Sequence, residues 1–267
     1  MRWSPVYAIL LRQFFLIRGS PSRVVPLFVW VAIDIVLWGF ITRYLNGVTN
    51  RGFDFVPSLL GAVLLWDFLT RVMQGVTMAF LEDVWSRNFL NLFSTPMSLT
   101  EYLGGLVLSS VATSAIGLTV MFGVALAAFG FSLFAYGALV VAFLAVLFLF
   151  GIALGVLGTA LVLRLGPSAE WFVWPIPALL SPFAAVFYPV AVLPHWMQWV
   201  SRLLPPSYVF EGMRAVAAGR GASLGPLLIS ALIAVVYILL ACWVFGRVFR
   251  AAVRTGLIAR YSAESVS

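Results

Sequence analysis

Long apolar runs separated by short polar segments dominate the pattern of this chain. A helix that crosses a membrane needs about 20 consecutive, mostly apolar residues. Six runs meet that requirement and predict six transmembrane helices, at residues 24–44, 55–81, 102–129, 134–163, 171–193 and 224–249. The short, uncharged gap at Gly130 predicts that the third and fourth spans form an antiparallel hairpin. Ser98 and Glu101 have the spacing of a capping box that begins the third span.

Residues 1–23 predict an interfacial helix that precedes the first span, rather than a cleaved signal peptide. Arg12 interrupts the first apolar run, and no small-residue cleavage site follows it. At 100° per residue, Val6, Leu10 and Ile17 lie on one side of this helix, with Arg12 roughly opposite. That pattern is typical of a helix that lies in the membrane interface.

The polar segment between the second and third spans, residues 82–94, predicts a short amphipathic helix. Asp83, Arg87 and Asn91 recur every four residues, so they share the polar side of that helix. Asp83 and Arg87 also have the spacing of a helical ion pair. We interpret this segment as the place where a soluble partner contacts the membrane protein.

The fifth predicted span is unusually rich in proline. Proline removes a backbone hydrogen bond and kinks a helix, and in lipid the freed carbonyl groups must find other partners. This span is therefore predicted to face protein neighbours or a pathway rather than bulk lipid. Its prolines are Pro175, Pro177, Pro182, Pro189 and Pro194.

Residues 194–219 predict two further amphipathic helices on the outer side of the membrane. Trp196 and Trp199 lie on the apolar side of the first helix, and Glu211 and Arg214 form an i, i+3 pair on the second. The segment is more apolar than a solvated loop, so a re-entrant pair that dips into the outer leaflet is favoured over an ordinary surface loop.

Composition supports an integral membrane protein and limits the chemistry that the chain can perform. It is 63% hydrophobic and 9% charged, with a mean hydropathy of +1.08, whereas soluble domains carry about 25% charged residues. The net charge of +7 comes from arginines that flank the spans, so we do not interpret it as a nucleic-acid surface. Both ends are basic and the number of spans is even, which predicts that both termini are cytoplasmic. Arg202, Arg214 and Arg220, in the outer segment, count against that orientation.

Signals for an enzyme are scarce in the sequence. The chain has no lysine, so it cannot contain a phosphate-binding loop that ends in Gly-Lys-Ser/Thr. Its single histidine, His195, cannot form a metal site alone. The single cysteine, Cys242, is predicted to be a small buried filler. We therefore expect no catalytic residues, cofactor or metal in this chain, and any nucleotide must be bound by another chain.

Three charged residues lie well inside predicted spans, where each ionised group costs about 2.5–3.5 kcal/mol. Asp67 and Arg71 are one helical turn apart in the second span, and Asp34 lies in the first. The favoured interpretation of Asp67 and Arg71 is a self-satisfied ion pair, and the alternative is a polar pathway. Asp34 has no charged partner nearby in sequence, and both interpretations stay open for it.

The order of these parts, together with two stretches of sequence, resembles a known family. LEDVWSRNFLNLFSTPMSLTEYLGG, at residues 81–105, looks like its segment between spans two and three, and FYPVAVLPHWMQWVSRLLPPSYVFEGMRAV, at residues 187–216, looks like its segment after span five. The chain is thus similar to the permease subunit of an ATP-binding-cassette (ABC) transporter of the type-2 membrane-domain family, which has the type V exporter fold. The second stretch is the more specific of the two.

The resemblance implies a homodimeric permease in the plasma (inner) membrane that exports a drug, a lipid-linked glycan or a polysaccharide. Two separate ATPase subunits would bind ATP and Mg²⁺ and press on a coupling helix, with the turn at residues 164–170 as a lesser contact. The implied ATPase-coupling residues are Glu82, Asp83, Arg87, Asn88 and Asn91. The implied pathway residues are Trp30, Asp34, Trp38, Asp67, Arg71, Phe183, Phe187 and Tyr188. The implied outer gate contains Trp196, Trp199, Tyr208, Glu211 and Arg214. The alternative is a self-contained secondary transporter or channel, which would require coupling-ion carboxylates or an internal repeat.

Overall fold

All regular structure is helical in the residues that the computed structural model describes, which are 3–19, 21–48, 56–86, 91–92 and 95–256. The α-helices are α1 (Trp3–Arg18), α2 (Pro21–Val48), α3 (Gly61–Trp85), α4 (Leu99–Phe129), α5 (Leu139–Leu165), α6 (Glu170–Val173), α7 (Ile176–Leu180), α8 (His195–Leu203), α9 (Pro205–Ala217) and α10 (Leu224–Arg254). A π-helix, Val56–Leu60, leads into α3, and short 3₁₀ helices cover Leu133–Tyr136, Pro167–Ala169 and Val190–Val192.

Four helical segments in the described part of the chain are long and apolar enough to cross a membrane. They are Ser58–Trp85, Leu99–Phe129, Leu139–Leu165 and Leu224–Arg254. These segments correspond to the second, third, fourth and sixth predicted spans, which agrees with an all-helical, multi-pass membrane protein. Helix α2 is 28 residues long and contains the first predicted span, whose crossing stays a prediction.

The predicted fifth span, residues 171–193, is not one continuous helix, and we refer to it as the broken segment. Helix α6 ends at Val173 and α7 at Leu180, and the chain then continues through turns and bends to the 3₁₀ helix Val190–Val192. The prolines explain the interruption, because each removes one backbone donor and obstructs the preceding turn. Ala185 even adopts a positive φ of 52°, an unusual conformation for a residue that carries a side chain.

Helix α3 is the central helix of the bundle and packs against both α4 and α5. Close approach to α5 depends on glycines spaced along one face of that helix. A Cβ on Gly151 would lie 2.9 Å from the Cβ of Val72, and a Cβ on Gly155 would lie 2.7 Å from the Cβ of Val76. Small residues at such spacing let membrane helices approach closely and gain van der Waals contact. Helix α10 packs on the other side of α5, and α1 and α2 pack on α4.

The capping box predicted at the start of the third span is confirmed. The Ser98 hydroxyl accepts a hydrogen bond from the Glu101 backbone N–H, and the Ser98 backbone N–H donates to the Glu101 carboxylate. The expected tight hairpin of the third and fourth spans is not observed: α4 and α5 follow each other in the chain, but α4 packs mainly against α3, and α5 packs between α3 and α10. The glycines of α5 explain this arrangement, since they favour close packing with α3.

Cys242 is exposed on α10, so the prediction that it fills a buried space is wrong. The sixth span is apolar nearly all round, and such a helix carries little information about which side faces the bundle. The buried side of α10 instead carries Ala234, Ala241 and Phe245.

Candidate functional site

Helix α1 is docked onto the bundle, with Val6, Ile9 and Gln13 buried against α3 and α4. The Gln13 side-chain amide donates a hydrogen bond to the backbone carbonyl of Ala79 in α3. A Cβ on Gly105 of α4 would lie only 2.7 Å from Ile9, so this glycine lets the two helices touch. The docked face therefore follows residues 6, 9 and 13, whereas the sequence pattern predicted a face through Val6, Leu10 and Ile17.

Three side chains from α1, α3 and α4 meet at Asp83, and we refer to Arg12, Asp83 and Tyr102 as the clasp. Asp83 is completely buried and forms an ion pair with Arg12. The Tyr102 hydroxyl donates a 2.8 Å hydrogen bond to the other carboxylate oxygen of Asp83. Arg12 thus points into the bundle, contrary to the prediction that it lies opposite the packed face. A buried carboxylate requires such partners because desolvation of an unpaired charge is costly.

The clasp changes the placement of the predicted coupling residues. Helix α3 continues through Trp85, so Glu82 and Asp83 belong to its last turns rather than to a separate helix. Asp83 is buried, and its ion-pair partner is Arg12 rather than a residue one turn away. The prediction that Asp83 is exposed on the contact face is therefore corrected. Glu82 is half-buried and Asn91 is exposed. Arg87 and Asn88 lie outside the described residues.

A cleft separates α1 from the chain that leads into α4. Its volume is about 290 Å³, and it is bounded on one side by Ile9 and Arg12 and on the other by Leu92 and Met97. The exposed Asn91 immediately precedes Leu92 in the sequence. The end of α3, the clasp and this cleft thus form one continuous region at one end of the bundle.

The charged residues of the first two spans form a second group, at the middle of the bundle. Asp34 of α2 lies within electrostatic range of Arg71 and Asp67 of α3. The Oδ2 atom of Asp67 is buried and has no hydrogen-bond partner among the described residues, so the predicted ion pair with Arg71 does not satisfy this oxygen. Among the described residues, no three His, Cys, Asp or Glu side chains gather as a metal site.

Aromatic residues predicted to line a pathway meet next to this group. Trp38 of α2 stacks on Phe187 of the broken segment, with ring centroids 4.9 Å apart and planes inclined by 12°. Phe183 instead packs edge-on against Trp196 of α8, at 6.0 Å. The Tyr188 hydroxyl donates to the carbonyl oxygen of Pro182, which is a local contact. The side chain of Trp30 is outside the described part of α2.

Glu211 and Arg214 of α9 hold the break that follows Ala185. The Val190 backbone N–H donates a 2.7 Å hydrogen bond to the Glu211 carboxylate. Arg214 bonds to that same carboxylate at 3.1 Å and donates to the backbone carbonyl of Val186. Burial lowers the pKa of Arg214, and the neighbouring Glu211 carboxylate opposes that shift. The pair therefore satisfies backbone groups that the broken helix leaves without helical partners.

Helix α8 turns its apolar side away from the bundle. Trp196 and Trp199 are 62% and 66% exposed, while Ser201 on the opposite side is buried and donates to the carbonyl oxygen of Phe183. The guanidinium of Arg202 lies over the Trp199 ring, 4.6 Å from its centroid. Tyr208 of α9 donates to the Arg202 backbone carbonyl at 2.8 Å, which ties the two helices together. An outward row of large apolar side chains suits lipid or a partner protein.

Several residues that organise these regions escaped the sequence analysis. Arg12, Gln13 and Tyr102 were not candidates, although Arg12 is a charge within an apolar run and such a charge needs a partner. Ser201 and Ser207 hold the helix pair through hydroxyl-to-carbonyl bonds, and nothing in the sequence distinguishes these serines from others.

Comparison with known proteins matches the chain to one family model. The model is described as an ABC-2 family transporter protein, and it matches residues 38–243. The matched region begins at Trp38, in the second half of α2, and ends within α10. It therefore includes the charged residues of α3, the broken segment and the helix pair α8–α9. No curated protein matches the chain.

Proposed function

Because the chain belongs to the ABC-2 family of transporter proteins, we propose that it is the permease subunit of an ATP-driven exporter. In this proposal two copies pair in the plasma (inner) membrane and form the substrate pathway between them. Two ABC ATPase subunits bind ATP and Mg²⁺ on the cytoplasmic side and supply the energy. The substrate is amphipathic: a drug, a lipid-linked glycan or a polysaccharide.

The observation that carries this proposal is the continuity of α3 from the middle of the bundle to the clasp. Arg71 and Asp83 are twelve residues apart in one unbroken helix, which is about 18 Å along its axis. The predicted coupling segment follows that end of the helix directly. A displacement of this segment would therefore move α3 as a rigid body, and the charged residues at the centre of α3 would move with it.

The clasp fixes the position of the cytoplasmic end of α3. Arg12 and Tyr102 hold Asp83 from two other helices, so α1, α3 and α4 move together. We assign to Asp83 a positioning role beneath the coupling segment, whereas direct contact with the ATPase falls to exposed residues such as Asn91. Glu82, Arg87 and Asn88 remain predicted members of the coupling segment.

The broken segment and the α8–α9 pair suit the proposed outer gate. Side chains of α9 hold the break that follows Ala185, so a movement of α9 would change the shape of the segment that faces Trp38. The outward tryptophans of α8 fit a helix that lies in the outer leaflet, which supports the re-entrant arrangement.

Co-purification followed by reconstitution tests the proposed function. The tagged chain should bring an ABC ATPase subunit with it, and the complex in liposomes should hydrolyse ATP and move substrate only when ATP is present. The chain purified alone should be inert. Selective flux by the chain alone would overturn the proposal and favour the secondary transporter or channel.

Two single variants separate coupling from folding in the same assay. Asn91→Ala should lower ATPase association and change thermal stability less than Asp83→Asn does, because Asn91 is exposed. Asp83→Asn should lower thermal stability, because Asp83 is buried in the clasp. If Asn91→Ala, combined with alanine at positions 87 and 88, leaves association unchanged, the coupling segment is wrongly assigned.

A further inference from the structure

The charged residues at the middle of the bundle do not balance. Away from the span ends, the six predicted spans contain three charged residues, Asp34, Asp67 and Arg71. When all three groups are ionised, two carboxylates against one guanidinium leave one negative charge. Asp34 lies at the middle of α2 and Arg71 at the middle of Ser58–Trp85, so this charge is at the depth where an uncompensated ion is most costly.

The packing around Arg71 leaves Asp67 without its full set of partners. The Arg71 side chain lies against Gly117 of α4, where a Cβ would be 3.2 Å from the Arg71 Cδ. Arg71 is therefore positioned along α4 by a close contact. The Oδ2 atom of Asp67 is buried and makes no hydrogen bond to any residue that the structure describes. A carboxylate oxygen only accepts hydrogen bonds when ionised, so the missing partner is a donor.

A second unsatisfied group lies on the facing side of α4. Ser110, Ser114 and Gly117 are spaced at i, i+4 and i+7, so they share one face of this helix. Both ends of that face touch α3, since Ser110 donates to the Val72 carbonyl and Gly117 contacts Arg71. Ser114 lies between them and is 2% exposed, and its hydroxyl has no hydrogen-bond partner in the described ranges of the chain. The contact between α3 and α4 thus includes a buried hydroxyl whose hydrogen-bonding capacity is unused within the described part of the chain.

Aromatic rings extend the same surface towards the broken segment. Trp38 is one helical turn after Asp34 on α2, and it stacks on Phe187. Asp67 and Arg71 lie on a side of α3 that is only half-buried in the single chain. The group of charged residues is therefore not enclosed in the hydrophobic core. Carboxylates beside aromatic rings are the combination that recognises organic cations.

We propose that Asp34 and Asp67 form a binding site for the cationic group of an amphipathic organic amine, with the Trp38–Phe187 pair contacting its apolar body. The ammonium donates to the Asp67 Oδ2 atom and cancels the net negative charge. This inference rests on the proposed function, because it makes the amine a transported substrate. It narrows the substrate class from amphipathic molecules in general to those that carry a basic nitrogen.

A matched pair of fluorescent probes tests this site on the full-length chain alone. Dansylcadaverine carries a primary ammonium, and N-acetyl-dansylcadaverine is the same molecule without the charge. Binding is measured by dansyl fluorescence in phosphatidylcholine nanodiscs, with protein-free nanodiscs as the reference for lipid partition. The amine should bind at least about tenfold more tightly than its acetylated form, the ratio expected when one hydrogen bond to a charged group is lost.

Neutral variants of the carboxylates identify the site. Asp67→Asn and Asp34→Asn should each lower the affinity for the amine about tenfold and leave the affinity for the acetylated probe unchanged. Glu170→Gln removes a carboxylate at the start of α6, outside the group, and should change neither affinity. Asp34 is less buried than the core residues of α3, so Asp34→Asn keeps the test valid if Asp67→Asn does not fold.

Two results would overturn the inference. Equal binding of both probes would mean that the chain does not recognise the charge, and that a proton neutralises the carboxylates instead. A preference for the amine that survives both Asp→Asn changes would place the cation elsewhere. Neither result contradicts the proposed function, which is tested by ATPase association and ATP-dependent flux. Conversely, failure to bind an ATPase leaves the probe measurement interpretable.

Discussion

At the scale of single residues, the clasp is the feature whose chemistry is best defined. Asp83 has no contact with water, whereas the side chain of Arg12 keeps 23% of its surface exposed. The two partners of this ion pair are therefore not equivalent. Removal of the carboxylate leaves a guanidinium that water can still reach, but removal of the guanidinium leaves a buried carboxylate whose remaining side-chain partner in the described part of the chain is Tyr102.

Asp83→Asn should lower the free energy of unfolding by about 3 kcal/mol, the lower part of the range for breaking a buried ion pair. Arg12→Gln should cost at least as much, because the buried charge then loses its counter-ion. The double variant should cost less than the sum, since it removes both charges. Unfolding in detergent micelles, followed by tryptophan fluorescence, measures these values.

Arg18→Gln provides the control for the clasp variants, because Arg18 is an exposed arginine at the end of the same helix and should change stability by no more than about 0.5 kcal/mol. A double variant that loses the full sum of the two single effects would mean that Arg12 and Asp83 act independently. The clasp would then not be an energetic unit.

At the scale of elements, the contact between α3 and α5 depends on backbone proximity more than on side-chain size. Gly155 shows this most clearly, since an added Cβ would meet both the Val76 side chain and the Met73 carbonyl oxygen, at 2.7 and 2.8 Å. The carbonyl belongs to the helix backbone and cannot rotate away. Accommodation of a methyl group would require the two helices to separate.

Gly155→Ala should therefore destabilise the protein by about 1–3 kcal/mol, the usual cost of overpacking a tight core. Gly123→Ala is the matched control, because Gly123 is also inside a long helix but an added Cβ would meet nothing within 4 Å. The control should be neutral or slightly stabilising, as alanine is the better helix former. Equal effects of the two variants, measured by thermal unfolding, would disprove the close contact.

Local rules succeeded for individual elements and failed where partners came from distant parts of the chain. The capping box depends on residues three apart, and the proline break on the prolines themselves, so both could be read from sequence. The i+4 rule suggested Arg87 for Asp83, but the partner in the structure is Arg12, 71 positions away. The exposure of Cys242 could not be predicted from the sequence either, because lipid and a neighbouring helix are both apolar surroundings.

At the scale of the whole molecule, the broken segment decides the topology. If residues 171–193 cross the membrane, Ser86 and Arg220 are separated by three crossings and lie on opposite sides. If the segment enters and returns on the same side, only α4 and α5 separate them and both lie on one side. The break does not prevent crossing, because extended stretches advance about 3.3 Å per residue against 1.5 Å in a helix.

We expect Ser86 and Arg220 on opposite sides, with Arg220 outside. Both residues are exposed, so single cysteines there, in a Cys242→Ser background, are accessible to a maleimide that cannot cross membranes. Arg220→Cys should be labelled in intact cells, and Ser86→Cys only after the membrane is made permeable. Labelling of both positions under the same condition would mean that the broken segment does not cross. The two termini would then face opposite compartments, and α8 and α9 would lie on the same side as the coupling segment, where they could not form an outer gate.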